Sequence, residues 1–98
     1  MVKRRLIWSK NSIKERNEIF DYWNNRNKSK KFSQKLYHLF LNAIEPLKEN
    51  PEIGILNQDY SFRHLLVKDY LIFYQFNEEE IYILKIWDGR RNHENLVI

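Results

Sequence analysis

The stretch FRHLLVKDYLIFYQFNEEEIYILKIW, residues 62–87, decides the fold class of this chain. It contains three runs rich in aromatic and β-branched residues, which suit a pleated sheet. The runs are Phe62–Val67, Tyr70–Phe76 and Ile81–Trp87. Because only short polar breaks separate them, the stretch predicts two consecutive hairpins, that is, a three-stranded antiparallel meander.

The middle run is apolar on both of its faces. Alternate residues from Tyr70 to Phe76 lie on one side of the predicted strand, whereas Leu71 and Phe73 lie on the other. A strand of this kind is covered on both sides in a folded protein. Helices from the first half of the chain can cover one side. The C-terminal tail or a partner chain can cover the other.

The chain before this stretch begins with one short strand and one helix. Residues 3–8 predict the strand, because they run from basic to apolar. Ser12 and Glu15 have the spacing of a capping box, in which both side chains bond backbone N–H groups at the start of a helix. The helix that follows is expected to end in the polar residues 24–27.

A second helix has the clearest pattern in the sequence. From Phe32 to Leu47 the apolar residues recur every three or four positions, on one helical face. Pro46 removes a backbone donor, so we expect a kink or an end there. The order of elements is therefore β-α-α-β-β-β, an α+β fold with a helical hairpin packed on a small, mainly antiparallel sheet. A chain of 98 residues holds one hydrophobic core, so residues 1–98 are expected to form a single domain.

The composition excludes several classes of protein. The chain has no cysteine, so a disulfide scaffold and a thiolate metal site are excluded, and a reducing cytoplasm is the expected location. The three histidines lack metal-ligand spacing and no glycine-rich phosphate loop is visible, so we expect no metal and no cofactor. No run approaches the roughly 18 apolar residues of a membrane span, so we expect no membrane association.

Charge is divided unevenly along the chain. Residues 1–48 hold twelve Lys and Arg against four Asp and Glu, an excess of +8, whereas residues 49–98 hold five against nine, an excess of −4. A basic cluster lies at residues 26–31. Such polarity suits an anionic partner, either a nucleic acid or an acidic protein segment, although a charge run also suits a helix surface that faces water.

Four local patterns, in this order, resemble the RelE/ParE superfamily of bacterial toxins. The patterns are LKENPEIG at 47–54, FRHLLV at 62–67, KDYLIFYQF at 68–76 and ILKIWDGRR at 83–91. The resemblance implies the toxin of a type II toxin–antitoxin system, neutralised by a cognate antitoxin. RelE-like members cut messenger RNA in the ribosomal A site, whereas ParE-like members poison DNA gyrase, and the fold alone does not choose between them.

The resemblance places few of the residues of a RelE-like ribonuclease on this chain. Such an enzyme would be a metal-independent endoribonuclease, with cations beside the phosphate and a Tyr or His for proton transfer. The arginine after the last strand falls on Arg91. The sheet arginine falls on Leu71 and the tail tyrosine near Val97, both apolar. The lysines of the first meander strand fall near Phe62 and His64.

A substitute catalytic set can still be drawn from Arg63, His64, Arg91 and His93, with Arg90 and Arg91 as binding residues. His93 is the candidate proton-transfer group, because imidazole titrates near neutral pH. The alternatives are that His93 belongs to an exposed polar turn and that Arg63 forms a structural ion pair with an Asp or Glu. The apolar residues at 71 and 97 favour a ParE-like toxin with a protein target such as gyrase, and a RelE-like endonuclease acting on ribosome-bound messenger RNA is the alternative.

Overall fold

A computed structural model of the chain describes residues 3–57 and 61–90. The strands are β1 (Arg5–Trp8), β2 (Ile55–Leu56), β3 (Arg63–Val67), β4 (Tyr70–Phe76) and β5 (Glu80–Asp88). The helices α1 (Lys10–Asn27) and α2 (Lys31–Ile44) lie between β1 and β2. Two 3₁₀ helices, Glu45–Lys48 and Pro51–Ile53, connect α2 to β2. The predicted α+β fold is confirmed.

The strands form one mixed sheet in the order β1-β5-β4-β3-β2. β3, β4 and β5 pair antiparallel, as the meander predicts. β2 pairs antiparallel with β3, and β1 pairs parallel with β5. The pairing of β1 joins Arg5 to Glu80 and Trp8 to Ile83. It ends at Ile83, so β5 runs on past the end of β1.

The main core lies between the helices and the sheet. Leu36, Phe40 and Ile44 of α2 are fully buried against Ile72 and Tyr74 of β4. Because these α2 residues lie three or four positions apart, they form a single helical face, and the predicted periodicity of the second helix is confirmed. α2 ends at Ile44, and Pro46 stands in the first turn of the 3₁₀ helix that follows.

A bulge in β5 decides which of its side chains reach the core. Tyr74 pairs with Ile83, but Phe73 pairs with Lys85, so Leu84 is an extra residue on β5. Ile83 and Ile86 are therefore both in the main core although they are three positions apart. Strict alternation along β5 would have put one of them on the opposite face.

The predicted capping box at Ser12 and Glu15 is wrong. The N-cap is Ser9, whose hydroxyl oxygen accepts the N–H of Ser12 at 3.0 Å, and Ser12 is buried inside the first turn. The Glu15 carboxylate instead accepts a hydrogen bond from the Lys85 ammonium and another from the backbone N–H of Ile86, at 3.2 Å for the latter. α1 therefore begins one turn earlier than predicted, and it is joined to β5. It ends at Asn27, within the predicted polar stretch.

β2 was not predicted. It has only two residues, Ile55 and Leu56, too few for a periodic pattern, and it forms because the chain leaves the 3₁₀ helix beside β3. In the part of the chain that the structure describes, no helix is long and apolar enough to cross a membrane.

Candidate functional site

Three of the positions that the resemblance assigns to catalytic cations, Phe62, His64 and Leu71, lie on the sheet face that points away from the helices. Phe62, Phe73 and Trp87 form a second buried cluster there, with Leu71 and Leu84 packed against it; we call these five residues the outer cluster. The rings of Phe62 and Phe73 meet edge to face, with centroids 5.8 Å apart. The expectation that β4 is covered on both sides is thus met for Phe73, which is 3% exposed.

His64 stands at the border of the outer cluster. It pairs with Phe73 across the strands, and their ring centroids are 5.6 Å apart. Its Nδ1 lies 3.0 Å from the Asn57 side-chain oxygen. An amide oxygen can only accept, so this contact places the proton of the neutral ring on Nδ1. Burial lowers the pKa of His64 below its usual value, because desolvation favours the neutral imidazole over the charged one.

The lowered pKa of His64 predicts a loss of stability in mild acid. The unfolded state binds a proton at His64 more readily than the folded state, so the free energy of unfolding should fall as pH falls below roughly 6.5. We expect His64→Gln to flatten the pH dependence of urea unfolding between about pH 7 and pH 5. An acid limb as steep in the variant as in the parent would assign the loss to other groups, and His38→Gln, on an exposed position of α2, is the control.

Arg63 has a structural role. Its Nη1 donates to two backbone carbonyl oxygens, Glu52 at 3.2 Å and Gly54 at 2.9 Å. It thereby holds the segment that leads into β2 against β3. The alternative of an ion pair with Asp or Glu is wrong within the described residues, because carbonyl groups rather than carboxylates accept from this arginine.

Arg90 is exposed at the far end of β5. Its Nε and Nη2 donate to the two carboxylate oxygens of Asp88, at 3.0 and 2.8 Å, and its Nη1 lies 3.9 Å from Asp69. The hydrogen bonds and charge of Asp88 raise the pKa of the guanidinium above its usual value. Arg90 is therefore oriented by a bidentate contact, and the side of its guanidinium away from Asp88 faces water.

The structure does not bring Arg90 together with the other candidate residues that it describes, Arg63 and His64. Arg63 and His64 lie opposite Tyr74 and Phe73 of β4, whereas Asp88, two residues before Arg90, lies opposite Tyr70. Four strand positions correspond to about 13 Å. Arg91 and His93 lie outside the described residues. Among the residues that are described, no group of His, Asp or Glu side chains could hold a metal ion.

Sequence reasoning missed a cleft beside the free part of β5. Ser9 Oγ donates to the Leu84 carbonyl at 3.0 Å, and Glu15 bonds the Ile86 N–H, so side chains of α1 take the place of a neighbouring strand. Beyond them a half-open cleft of about 380 Å³ separates α1 from the end of β5. Its lining is Glu15, Glu18, Ile19, Tyr22, Tyr70, Ile86, Asp88 and Arg90. The parallel pairing of the short β1 with only the first part of β5 would have indicated the cleft, but no local sequence pattern predicts that pairing.

Comparisons with known proteins agree with the fold. The sequence matches the model of a family described as "ParE toxin of type II toxin-antitoxin system, parDE" over residues 6–93. The structure is similar to a solved structure titled "Chromosomal ParDE TA system from P. aeruginosa". The two chains are 18% identical, the match covers 86% of this chain and 94% of that one, and the TM-score is 0.71. At this identity the likeness shows the fold. No curated protein matches the sequence significantly.

Proposed function

This chain belongs to the family of ParE toxins of type II toxin–antitoxin systems, and from this we propose that it acts on a protein target, DNA gyrase, rather than on messenger RNA. We propose in addition that an antitoxin encoded beside it neutralises it, in the cytoplasm. Membership of the family gives the chain the role of a toxin. The target of the toxin, the antitoxin encoded beside it and the cytoplasmic location are our inferences.

The outer cluster is the observation that supports a protein target. Cleavage of RNA without a metal needs cations where charge develops on the phosphate and a group that transfers a proton. At those places this chain has Phe62 and Leu71, packed into an apolar cluster, and a His64 whose neutral form is favoured by burial. Arg63 is engaged with backbone carbonyl oxygens. Lys85, whose ammonium lies 5.5 Å from the centre of the Trp87 ring, is paired with Glu15. The cations that the structure describes near the outer cluster are therefore engaged within the fold.

The direct test is to induce the chain alone in bacteria and to follow DNA and messenger RNA in the same cells. We expect growth arrest, accumulation of double-strand breaks from gyrase held on cleaved DNA, and intact messenger RNA. Co-expression of the protein encoded beside it should restore growth. Cleavage of messenger RNA in translating ribosomes, with DNA intact, would establish the alternative. Normal growth at high soluble expression would contradict both.

Two further substitutions test the site, and the second of them separates the mechanisms. Arg91→Ala should abolish toxicity under either target, because Arg91 is the cation that matches the family position. A transition-state contact of such a cation is worth a rate factor of about 100 or more. His93→Ala should leave toxicity unchanged if the target is gyrase. Under RNA cleavage the same change should reduce the rate about 10²- to 10⁴-fold, because it removes the proposed proton-transfer group.

A further inference from the structure

We propose that one end of the molecule binds the phosphate backbone of duplex DNA. This basic end consists of Arg26, Lys28, Lys30, Lys31, Lys35 and Lys68. From Tyr22 to Ile44 the sequence holds the first five of these cations and no Asp or Glu. All six are exposed. The choice of DNA over duplex RNA rests on the proposed gyrase target. The existence of a phosphate-binding surface rests on the exposed cations alone.

The cations of the basic end form no ion pair with a described residue, although Arg26 contacts Tyr22 and Trp23 of its own helix. Ion pairs among the described residues engage other cations, namely Lys3, Arg5, Lys48, Lys85 and Arg90. Asp69 follows Lys68 in the chain, but its carboxylate lies beside Arg90, at 3.9 Å from Nη1. No described carboxylate lies within 4.0 Å of the six cations of the basic end, so their charge is available to a ligand.

Tertiary contacts bring the two segments of the basic end together. The Trp23 indole N–H donates to the Tyr70 hydroxyl at 2.8 Å, which fastens the end of α1 to the start of β4. Arg26 lies 5.9 Å from the centre of the Trp23 ring. Lys28 follows at the end of α1, and Lys68 lies two residues before Tyr70. The loops on either side of this hydrogen bond therefore carry positive charge at the same end of the molecule.

The turn between the helices is built from neutral groups. The Asn24 carbonyl accepts the N–H of Lys28 and, at 3.3 Å, that of Ser29. The Ser33 hydroxyl bonds the Asn24 side chain, and the Ser29 hydroxyl oxygen accepts the N–H of Lys31 at 3.2 Å. These bonds hold the turn in one conformation without any ammonium group. The lysine side chains are thus presented on an ordered backbone.

Two of the described residues have a left-handed backbone conformation, and both are lysines. Lys28 ends α1 with φ 50°, and Lys68 stands in the two-residue loop between β3 and β4 with φ 56°. Glycine or asparagine is the favoured residue in such places, because a longer side chain is strained there. In this chain a charged side chain stands at both positions, against the conformational preference. Strain at a particular side chain points to a role beyond folding.

The composition of the basic end favours duplex nucleic acid over protein. Protein interfaces centre on buried apolar anchors and are poor in lysine. Here the exposed residues between positions 26 and 35 are four lysines with Arg26, Asn27 and Gln34, and none of them is apolar. Single strands are bound by stacking of bases on exposed rings. Trp23 and Phe32 pack on each other with centroids 4.7 Å apart and against the core, and Tyr22, although 54% exposed, packs edge to face on Trp23. A single exposed ring beside a cluster of exposed cations favours contacts with a phosphate backbone over stacking of successive bases.

Fluorescence anisotropy of the purified chain with a short labelled DNA duplex tests this proposal without gyrase. Each neutralised phosphate contributes about −0.9 to the slope of log affinity against log salt, so contacts from four of the cations give a slope of about −3.6. Replacing Lys28 and Lys68 by glycine should weaken binding and make the slope shallower by about 2. The melting temperature should not fall, because glycine relieves the strain at both positions.

The matched control is Lys10→Gln with Lys14→Gln, which removes the same net charge from exposed positions of α1. Lys14 and Lys10 lie about 21 and 27 Å from Lys28 along the helix, so the slope should change by less than about 1. A triple variant at Lys30, Lys31 and Lys35, each changed to Gln, repeats the test at helical positions if the glycine variant is unstable.

Three results would overturn the proposal. They are an equal change of slope in the control and the Lys28, Lys68 variant, displacement of DNA by an equal charge of polyglutamate, and tighter binding of duplex RNA than of DNA. Displacement by polyglutamate would identify an acidic protein segment as the ligand. If DNA binds as expected but the induced chain does not act on gyrase, the proposed target fails and the DNA surface stands.

Discussion

Replacing Tyr74 by phenylalanine is expected to lower the free energy of unfolding by about 2–4 kcal/mol, although only one oxygen atom is removed. The Tyr74 side chain is fully buried, and its hydroxyl group accepts the N–H of Gly54 at 2.8 Å and donates to the Pro51 carbonyl at 2.7 Å. Pro51 and Gly54 are also buried. Without the hydroxyl, a buried donor and a buried acceptor both lose their partner.

Urea unfolding measures this loss, with Tyr82→Phe as the matched control. The Tyr82 hydroxyl donates to Glu80 on a half-buried part of β5 where water can replace it, so the control should cost under about 1 kcal/mol. Equal small effects in both variants would show that water reaches the Tyr74 hydroxyl. Gly54→Ala should also destabilise the fold, since an added Cβ would lie 2.7 Å from Tyr74 Cε1 and 2.9 Å from the His64 carbonyl oxygen.

The second large effect is expected at the ion pair between Glu15 of α1 and Lys85 of β5. Both side chains are mostly buried, at 20% and 16% exposure. Glu15→Ala removes the partner of the Lys85 ammonium and of the Ile86 N–H. Removal of one member of a buried pair costs about 3–5 kcal/mol, and the remaining access of water reduces this to about 2–3 kcal/mol here.

A double-mutant cycle separates the ion pair from simple loss of contacts. Lys85→Met retains the apolar stem over the Trp87 ring, which lies 5.5 Å from the ammonium. The double variant should therefore be more stable than the sum of the single losses predicts, by about 0.5–3 kcal/mol. Additive losses would mean that the two charges do not interact. Arg5→Ala is the control, because Arg5 bonds Glu80 at 3.1 Å while being 73% exposed, and should cost under about 1 kcal/mol.

Much of the fold was predictable because the signals lie within single elements. β4 has the predicted bounds, Tyr70–Phe76, and α2 has the predicted buried face. The alternation of Ile72 and Phe73 onto opposite faces follows directly from strand geometry. The apolar residues at positions 62 and 71 of the candidate site were equally visible, since residue type alone shows the absence of a cation.

The predicted capping box failed because two serines could each cap the first helix, and the neighbouring residues do not decide between them. Ser9 and Ser12 both precede helical residues, and the capping pattern fits Ser12 better because Glu15 follows three positions later. In the folded chain Glu15 is engaged by Lys85, 70 residues away, and Ser9 becomes the cap. A contact between distant residues therefore overrides a local pattern.

The sequence by itself determined the α+β class, the two helices, the meander and the apolar residue types at positions 62 and 71, because periodicity and residue type carry that information. Only the tertiary structure decided the parallel pairing of β1 with β5, the bulge at Leu84, and the union of Phe62, Phe73 and Trp87 in one buried cluster. It alone showed that Lys28 and Lys68 adopt left-handed conformations at the same end. Such features arise from the packing of segments about 10 to 75 residues apart, and chain-local patterns do not record which segments meet.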